Sequence, residues 1–235
     1  MPILAIDTSN LVLSVAVVDE QRILGEWTTN KQKDHSVRLM DGIAQLLEQL
    51  ELEPEQLAGI AVAHGPGSYT GVRIGVAAAK SMAWSLGIPL VGISSLEVVA
   101  ANALGFTGAI VPLFDARRGR VYTACYRSQQ LDALEPLLPE RIVPLADWLT
   151  LLLETLDEEP ILFLGDDVVL HQATIRSRLR ERARFAPPAF NHARAAHLGW
   201  IGLRRLHAAG DPHLLNPEYL QMAEAEAKWL AKQGK

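Results

Sequence analysis

An order of strands and helices that occurs twice along the chain constrains the fold most. Apolar runs at 3–6, 11–18 and 23–28 predict three consecutive strands, and helix, strand, helix, strand and helix patterns follow up to residue 104. The same order begins again at residue 109. Three meandering strands followed by alternating helices and strands form a mixed sheet covered by helices. The chain is therefore predicted to be an α/β protein with two such sheets and a cleft between them.

The predicted elements divide the chain into an N-terminal lobe at 1–104 and a smaller C-terminal lobe at 105–211. Segment 212–235 is predicted to pack back on the first lobe. After the three opening strands, the first lobe is expected to contain a helix from 35, strands at 57–63 and 90–93, and helices at 72–86 and 95–104. The second is expected to contain strands at 109–114, 121–127, 141–144 and 161–164, and helices at 146–155, 168–182 and 192–209.

Composition narrows the class of protein. The 22 basic and 27 acidic side chains give 235 residues a net charge of −5, which excludes a broadly basic nucleic-acid coat. A lone cysteine, Cys125, excludes a disulfide framework, and its strand pattern predicts an inert core thiol. Glycine and proline interrupt the longest uncharged runs, and the first residues lack a basic region, so neither a membrane helix nor a signal peptide is expected. We expect a cytoplasmic protein.

The sharpest local motif is the run His64-Gly65-Pro66-Gly67-Ser68-Tyr69-Thr70-Gly71, which lies between a predicted strand and a predicted helix. Ser68 or Thr70 can cap that helix, whose first N–H groups could bind an anion. A plain strand-to-helix turn explains the same residues, since the run lacks the lysine and the spacing of a phosphate-binding P-loop. Both interpretations stay open.

Two aspartates end the first strand of each repeat, in Asp7-Thr8-Ser9 and in Asp115-Ala116-Arg117. If they face each other across the cleft, their carboxylates could hold a hydrated Mg²⁺. Neither loop contains the glycine that would let backbone N–H groups approach a phosphate, so structural strand-end aspartates are the alternative. The seven histidines lack the spacing of helical metal ligands, and no metal site is predicted.

Two helices carry faces that could bind a partner. On the helix from 35, Val37, Met40, Ala44 and Leu47 form one apolar stripe, and Leu39, Ile43, Leu46 and Leu50 form the adjacent one. On the helix at 72–86, small residues recur at Gly71, Gly75, Ala79 and Ala83, which suits either an intramolecular contact or a subunit interface. A helix-mediated homodimer or heterodimer is predicted.

Five alternating arginines, at 176, 178, 180, 182 and 184, form a basic run. Three of them, Arg176, Arg180 and Arg184, would share one helix face. That face is either solvated or in contact with RNA phosphates.

Several of these motifs together resemble the bacterial TsaB family, also called YeaZ. They are Ile3-Leu4-Ala5-Ile6-Asp7-Thr8-Ser9, the run from Gly65 to Gly75, Asp115-Ala116-Arg117-Arg118 and Pro217-Glu218-Tyr219-Leu220. The resemblance implies two RNase H-like lobes of the actin-like ATPase superfamily. It also implies a role in making threonylcarbamoyladenosine, the modified base beside the anticodon of tRNAs that read codons beginning with A.

The resemblance further implies a non-catalytic subunit that supports a paralogous transferase, TsaD, together with the ATPase TsaE. Alone, the protein is expected to form a homodimer, and to meet tRNA only through the complex. The implied partner or dimer surface comprises Val37, Leu39, Met40, Ile43, Ala44, Leu47, Gly71, Arg73, Gly75 and Ala79. The implied vestigial cleft, or nucleotide contact, comprises Asp7, Thr8, Ser9, Gly65, Gly67, Ser68, Asp115 and Arg117. No cofactor of its own is expected, although a nucleotide at the TsaD interface is compatible with the resemblance.

Departures from the family pattern bear on catalysis. TsaD-type enzymes carry a His-x-x-x-His metal motif where this chain has His35-Ser36-Val37-Arg38-Leu39, so the second ligand is missing. Arg120, Asp167 and Gln221 also replace residues common in the family, which weakens the case for nucleotide binding in this chain's own cleft. The alternatives are an actin-like ATP-binding hydrolase or kinase, which would use Asp7 and Asp115 with Mg²⁺, and a glycoprotease-like enzyme.

Overall fold

The computed structural model describes residues 1–31 and 35–220. The strands are β1 (Ile3–Asp7), β2 (Leu13–Val18), β3 (Ile23–Thr29), β4 (Ile60–Ala63), β5 (Leu90–Ile93), β6 (Ala109–Asp115), β7 (Arg120–Gln129), β8 (Ala133–Pro144), β9 (Ile161–Leu164) and β10 (Ala183–Phe185). The α-helices are α1 (His35–Gln49), α2 (Tyr69–Leu86), α3 (Ser95–Ala100), α4 (Leu145–Thr155), α5 (Val168–Leu179) and α6 (Ala195–Arg205).

The strands form two five-stranded mixed sheets, in the orders β3-β2-β1-β4-β5 and β10-β9-β6-β7-β8. In the first sheet, β1 is antiparallel to β2 and parallel to β4. In the second sheet, β6 is antiparallel to β7 and parallel to β9. The element order of the first half therefore repeats in the second, which confirms the predicted architecture of two helix-flanked mixed sheets. Asp7 and Asp115 end the corresponding strands β1 and β6.

Two strands differ most from the prediction, while β2 and β4 begin at Leu13 and Ile60 rather than at 11 and 57. β8 begins at Ala133 rather than at 141, and it contains Pro136 and Pro139. Prolines disfavour a strand in sequence, but β8 is an edge strand, where a missing N–H costs no ladder hydrogen bond. β10 was not predicted, because the arginine run suggested a helix that continued to 182. Instead α5 ends at Leu179, and Arg180 has a positive φ of 50°.

Three hydrophobic clusters cover the faces of the sheets. α1 and α2 pack on the outer face of the first sheet, through residues such as Leu39 and Val76. α4 and α5 pack in the same way on the second sheet, around Trp148. Between the sheets lie α3, which contacts β6 and β7, and α6, which contacts β1, β2 and β4. Because α3 and α6 each pack on the sheet of the other half, the lobe limits at 104 and 211 stay a prediction.

Residues 212–220 lie on the first half of the molecule. The Nζ of Lys80 on α2 donates to the carbonyl oxygens of His213 and Leu215, each at 2.9 Å. The Leu215 side chain joins the core cluster beneath α1 and α2. Residues 221–235, the rest of the segment predicted to pack back, lie outside the described residues. No helix in the described ranges is long and apolar enough to cross a membrane.

Candidate functional site

The start of α2 rests directly on the turn that follows β1. Of the two predicted caps, Ser68 and Thr70, Ser68 is the N-cap of α2. Its Oγ accepts from the backbone N–H of Gly71 at 3.3 Å. The Ser68 N–H donates to the carbonyl oxygen of Ser9 at 2.7 Å. The Thr8 hydroxyl in turn donates to the carbonyl oxygen of Gly71 at 2.7 Å. The glycine-rich run therefore holds the helix against residues 7–9.

Close backbone contact explains the glycines of this run. A Cβ on Gly67 would overlap the carbonyl oxygen of Ser9, and one on Gly71 would overlap that of Thr8. A Cβ on Gly75 would overlap the Thr8 hydroxyl, and Ala79 is fully buried. The small-residue stripe is thus an intramolecular contact. Gly71, Gly75 and Ala79 were wrongly placed on the partner surface.

The aspartate that ends β1 is closed off from solvent. Asp7 is 1% exposed, and its Oδ1 accepts from the N–H of Ser9 at 2.8 Å and from the Ser9 hydroxyl at 2.7 Å. Oδ2 is buried and has no hydrogen-bond partner among the described residues. Burial raises the pKa of Asp7, and the two bonds from Ser9 oppose that rise. Asp7 is therefore biased towards its neutral form.

These residues do not fit a nucleotide or Mg²⁺ site. Asp7, Thr8 and Ser9 are all buried, so their side chains are not open to a ligand. Gly67 and Gly71, whose backbone a phosphate would have to approach, lie instead against the carbonyl groups of Ser9 and Thr8. Of the two interpretations of the run, the structure favours the strand-to-helix turn.

An Asp7→Asn variant is expected to gain stability at pH 8 and to lose that gain near pH 4. A carboxyl whose folded pKa is raised binds protons more tightly in the folded state, so stability falls as pH rises through the folded value. Asparagine keeps the acceptor for Ser9 without the buried charge. We expect a gain of about 1 kcal/mol at pH 8, or roughly 2–4 °C in Tm, measured by circular dichroism melts across pH.

Asp19→Asn is the control for that experiment. The Asp19 carboxylate accepts from the N–H groups of Gln21 and Arg22, and these bonds lower its pKa. Its replacement should therefore bring no gain as pH rises. Equal destabilisation of Asp7→Asn at pH 4 and pH 8 would contradict a raised pKa of Asp7 in the folded protein.

Asp115 belongs to a separate polar cluster in the second half. Its Oδ1 lies 3.1 Å from His171 Nε2, its Oδ2 accepts from the N–H of Arg117 at 3.3 Å, and its own N–H donates to Asp167 at 2.8 Å. Among the hydrogen bonds of the described residues, Asp7 and Asp115 have no partner in common. That the two carboxylates face each other across a cleft, with Arg117 beside them, stays a prediction.

Sequence reasoning missed a second pair beside this cluster. His192 Nδ1 lies 2.6 Å from Asp166 Oδ1, and His192 Nε2 lies 3.3 Å from Asn30 of the first half. Burial raises the pKa of Asp166, although the charge of His192 opposes the rise. In the sequence, only the position of Gly165-Asp166-Asp167 at the end of a predicted strand could have indicated this pair. Within the described ranges, no group of three or more histidine, cysteine, aspartate or glutamate side chains could hold a metal ion.

The beginning of the glycine-rich run is held from two sides. Gly65 accepts from the N–H of Ser95 on α3 at 2.9 Å, and the carbonyl oxygen of His64 accepts from the N–H of Glu218 at 2.7 Å. Gly65 has a φ of 117°, and a Cβ there would lie 2.6 Å from the Glu218 carbonyl oxygen. Burial lowers the pKa of His64, against the opposing charge of Glu218. Gly65 is thus a structural contact point.

The apolar side chains of α1 have two different environments, and Leu47 of the first predicted stripe lies in the buried one. Leu39, Ile43 and Leu47 are 1%, 2% and 5% exposed and belong to the core, so their assignment to a partner surface was wrong. Val37 is 64% and Met40 47% exposed, and Ala44 is also exposed. We call Val37, Met40 and Ala44 the α1 face. On α2, Arg73 is exposed, and its guanidinium lies over the Tyr69 ring at 5.1 Å.

The predicted basic helix face does not form. Arg176 lies on α5, Arg180 follows the end of that helix, and Arg184 lies on β10. Arg182 donates to the carbonyl oxygens of Leu156 and Glu159, at 3.3 and 3.2 Å. The run therefore divides between elements, and Arg182 ties β10 to the end of α4.

Comparison with known proteins gives the family. A family model described as TsaD, tRNA N6-adenosine threonylcarbamoyltransferase, matches residues 22–229. The chain is 46% identical to "tRNA threonylcarbamoyladenosine biosynthesis protein TsaB" of Bacillus subtilis, over 99% of this chain and 100% of that protein. It is 32% identical to the Escherichia coli protein of the same name, over 55% of this chain and 57% of that protein.

Among solved structures, YeaZ from Pseudomonas aeruginosa matches with a TM-score of 0.76, covering 93% of this chain and 99% of its own, at 23% identity. That likeness shows the fold, two mixed sheets flanked by helices. The full-length identity to the Bacillus subtilis protein shows that this chain belongs to the TsaB (YeaZ) family.

Proposed function

We propose that this protein acts in tRNA threonylcarbamoyladenosine biosynthesis, as a non-catalytic subunit that binds and supports a TsaD-type transferase. The observation that carries the pathway assignment is the 46% identity over the full length of a relative named for that biosynthesis. A tRNA-modifying assembly of this kind works in the cytoplasm, which is where we place the protein.

The interior of α1 supports a non-catalytic role. Leu39 stands where the TsaD-type motif has its second histidine, and it is 1% exposed among core residues of the first sheet. Cys125 is also buried, and burial raises the pKa of its thiol to about 12, which leaves no thiolate to act as a nucleophile. Buried Asp7 offers no accessible carboxylate for a metal. We therefore favour the subunit over a hydrolase, kinase or glycoprotease.

The α1 face is the surface that we assign to TsaD. Val37 and Met40 are large apolar side chains left exposed beside each other on one helix, and Ala44 continues the stripe one turn further. The same face would pair two copies when the protein is alone. In this proposal TsaE joins the TsaD complex, tRNA is reached only through that complex, and any nucleotide lies at the interface with TsaD.

A Val37→Glu, Met40→Glu double variant is expected to weaken TsaD binding at least tenfold, because two carboxylates would be buried without partners in an apolar contact. Tenfold corresponds to about 1.4 kcal/mol, a modest loss for interface anchors. Isothermal titration calorimetry with purified TsaD measures the affinity. Analytical ultracentrifugation of the same variant should show a monomer where the parent chain is a dimer.

The matched control is Val169→Glu, Leu170→Glu on α5, where the replaced side chains are 71% and 67% exposed. It changes charge and apolar surface equally, and should leave TsaD affinity within twofold. Equal affinity of both double variants would contradict the α1 face as the docking surface. Depletion of the protein tests the pathway itself: unchanged threonylcarbamoyladenosine in bulk tRNA would refute the proposed function.

A further inference from the structure

A cavity of about 240 Å³ lies between the end of α3, the helix α6 and the turn that joins β7 to β8. We call it the α6 cavity. A spacing of four residues places Trp200 and Arg204 on one face of α6, and both line the cavity. None of the lining residues belongs to the α1 face, so the proposed function gives this cavity no role.

The walls of the α6 cavity are largely apolar. Ala101 and Ile201 belong to the core cluster between the two sheets, and Leu104, Leu134 and Trp200 are partly buried against that cluster. An apolar ligand body placed against these side chains would remove hydrocarbon surface from water, which favours binding. The volume of about 240 Å³ lies below the usual range of drug-sized pockets and limits the ligand to a small one.

The Arg204 side chain is held at two points and is still open to solvent. Its Nη1 donates to the carbonyl oxygen of Asp132 in the β7–β8 turn, and its guanidinium lies over the Trp200 ring, 5.2 Å from the ring centroid. Nε and Nη2 have no hydrogen-bond partner among the described residues, and the side chain is 50% exposed. Arg204 therefore offers accessible N–H donors from a fixed position at the cavity.

The other charged groups of the cavity leave the Arg204 guanidinium available to a ligand. Arg205 makes a two-pronged ion pair with Glu97, through bonds of 2.8 and 2.5 Å, so these two charges neutralise each other. Asp132 Oδ2 lies 3.4 Å from Arg204 Nη1, longer than an ordinary charged hydrogen bond, and the Asp132 side chain is 59% exposed. Water therefore screens that pair. A single guanidinium with free donors suits a ligand with one negative charge.

We propose that the α6 cavity binds a small monocarboxylate, with the carboxylate on Nε and Nη2 of Arg204 and the apolar body against Leu104 and Leu134. The N–H groups of Nε and Nη2 lie on one edge of the guanidinium and match the two oxygens of a carboxylate. The same chemistry is found in a free organic acid and in the C-terminal carboxylate of a peptide whose last residue is apolar. The site is independent of the α1 face.

The test is isothermal titration calorimetry of the full chain with phenylacetate, with phenylacetamide as the neutral probe of the same shape. We expect phenylacetate to bind at least tenfold more tightly than the amide. Arg204→Met should weaken phenylacetate at least tenfold, since it keeps the unbranched stem and removes the guanidinium. Arg178→Met is the matched control: Arg178 is an exposed arginine on α5 that also donates to one neighbour, Thr150, and its affinity should stay within twofold of the parent. Melting curves verify that both variants fold.

A second measurement locates the bound anion. The indole N–H signal of Trp200 in two-dimensional NMR spectra, identified by its loss in Trp200→Phe, should shift when phenylacetate is added to the parent chain and stay in place in Arg204→Met. Binding that leaves this signal unmoved would mean an adventitious ion only and would overturn the proposal. Absence of binding at about 10 mM phenylacetate, or an affinity that Arg204→Met leaves unchanged, would overturn it as well.

An acetyl-Gly-Phe peptide with a free C-terminus distinguishes the two sources of the carboxylate. Tighter binding of the peptide than of phenylacetate supports the proposal with a chain terminus as the ligand. Tighter binding of phenylacetate supports it with a small organic acid. Neither arm measures tRNA modification or TsaD binding, so failure here leaves the proposed function standing.

Discussion

Replacement of Gly71 by alanine is expected to lower the free energy of unfolding by about 3 kcal/mol, the upper range for forcing an extra methyl into a packed interior. A glycine-to-alanine change in a helix ordinarily stabilises the protein, since alanine in a helix is about 1 kcal/mol more favourable than glycine. Here we expect the opposite change in stability. The added Cβ would overlap the carbonyl oxygen of Thr8, and Thr8 is fully buried with its hydroxyl bonded to Gly71. The nearest atoms are the Thr8 backbone and the Ser68 Cβ, and none of them is the far end of a flexible side chain that could move away. Urea denaturation followed by circular dichroism measures the loss.

Gly210→Ala is the control, because Gly210 is exposed and a Cβ there would meet no atom within 4 Å. Its stability should stay within about 0.5 kcal/mol of the parent chain. If Gly71→Ala proved as stable as Gly210→Ala, the glycine-rich run would not be the packing surface for the β1 turn, and the anion-binding interpretation would regain support.

Much of the fold could be predicted because its periodicities are local. The apolar run of β9 and the alternation in β2 give strands from neighbouring residues alone, and their repeated order gives the two sheets. The beginning of β8 and the whole of β10 could not be predicted in this way. Pro136 is tolerated only because β8 is an edge strand, and β10 is a three-residue strand that forms by pairing with β9.

The site was less predictable, because its residues are decided by long-range contacts. Spacing shows that α1 has two apolar stripes, but only packing on the sheet decides that Leu39 is buried and Met40 exposed. The glycines of α2 suit a partner helix and a neighbouring turn equally well in sequence. In the structure they pack against the turn after β1, which lies about sixty residues earlier in the chain, and local spacing cannot show this contact. His171 and Asp167 likewise meet Asp115 only through the second sheet.

The second large effect is expected at Leu39, where aspartate should lower the free energy of unfolding by about 4 kcal/mol or unfold the chain. The change removes a buried leucine, which costs about 2–5 kcal/mol, and adds a carboxylate with no partner. Leu39 is 1% exposed and shares its core cluster with Val15 and Val17 of β2. Thermal and urea denaturation measure the loss.

Met40→Asp, one residue further along α1, is the matched control, because Met40 is 47% exposed. It should change stability by no more than about 0.5 kcal/mol, yet weaken TsaD binding in the proposed complex. The pair separates folding from binding on adjacent residues of one helix. If Leu39→Asp folded normally and lost only TsaD binding, Leu39 would lie on the interface, and its assignment to the core would be wrong.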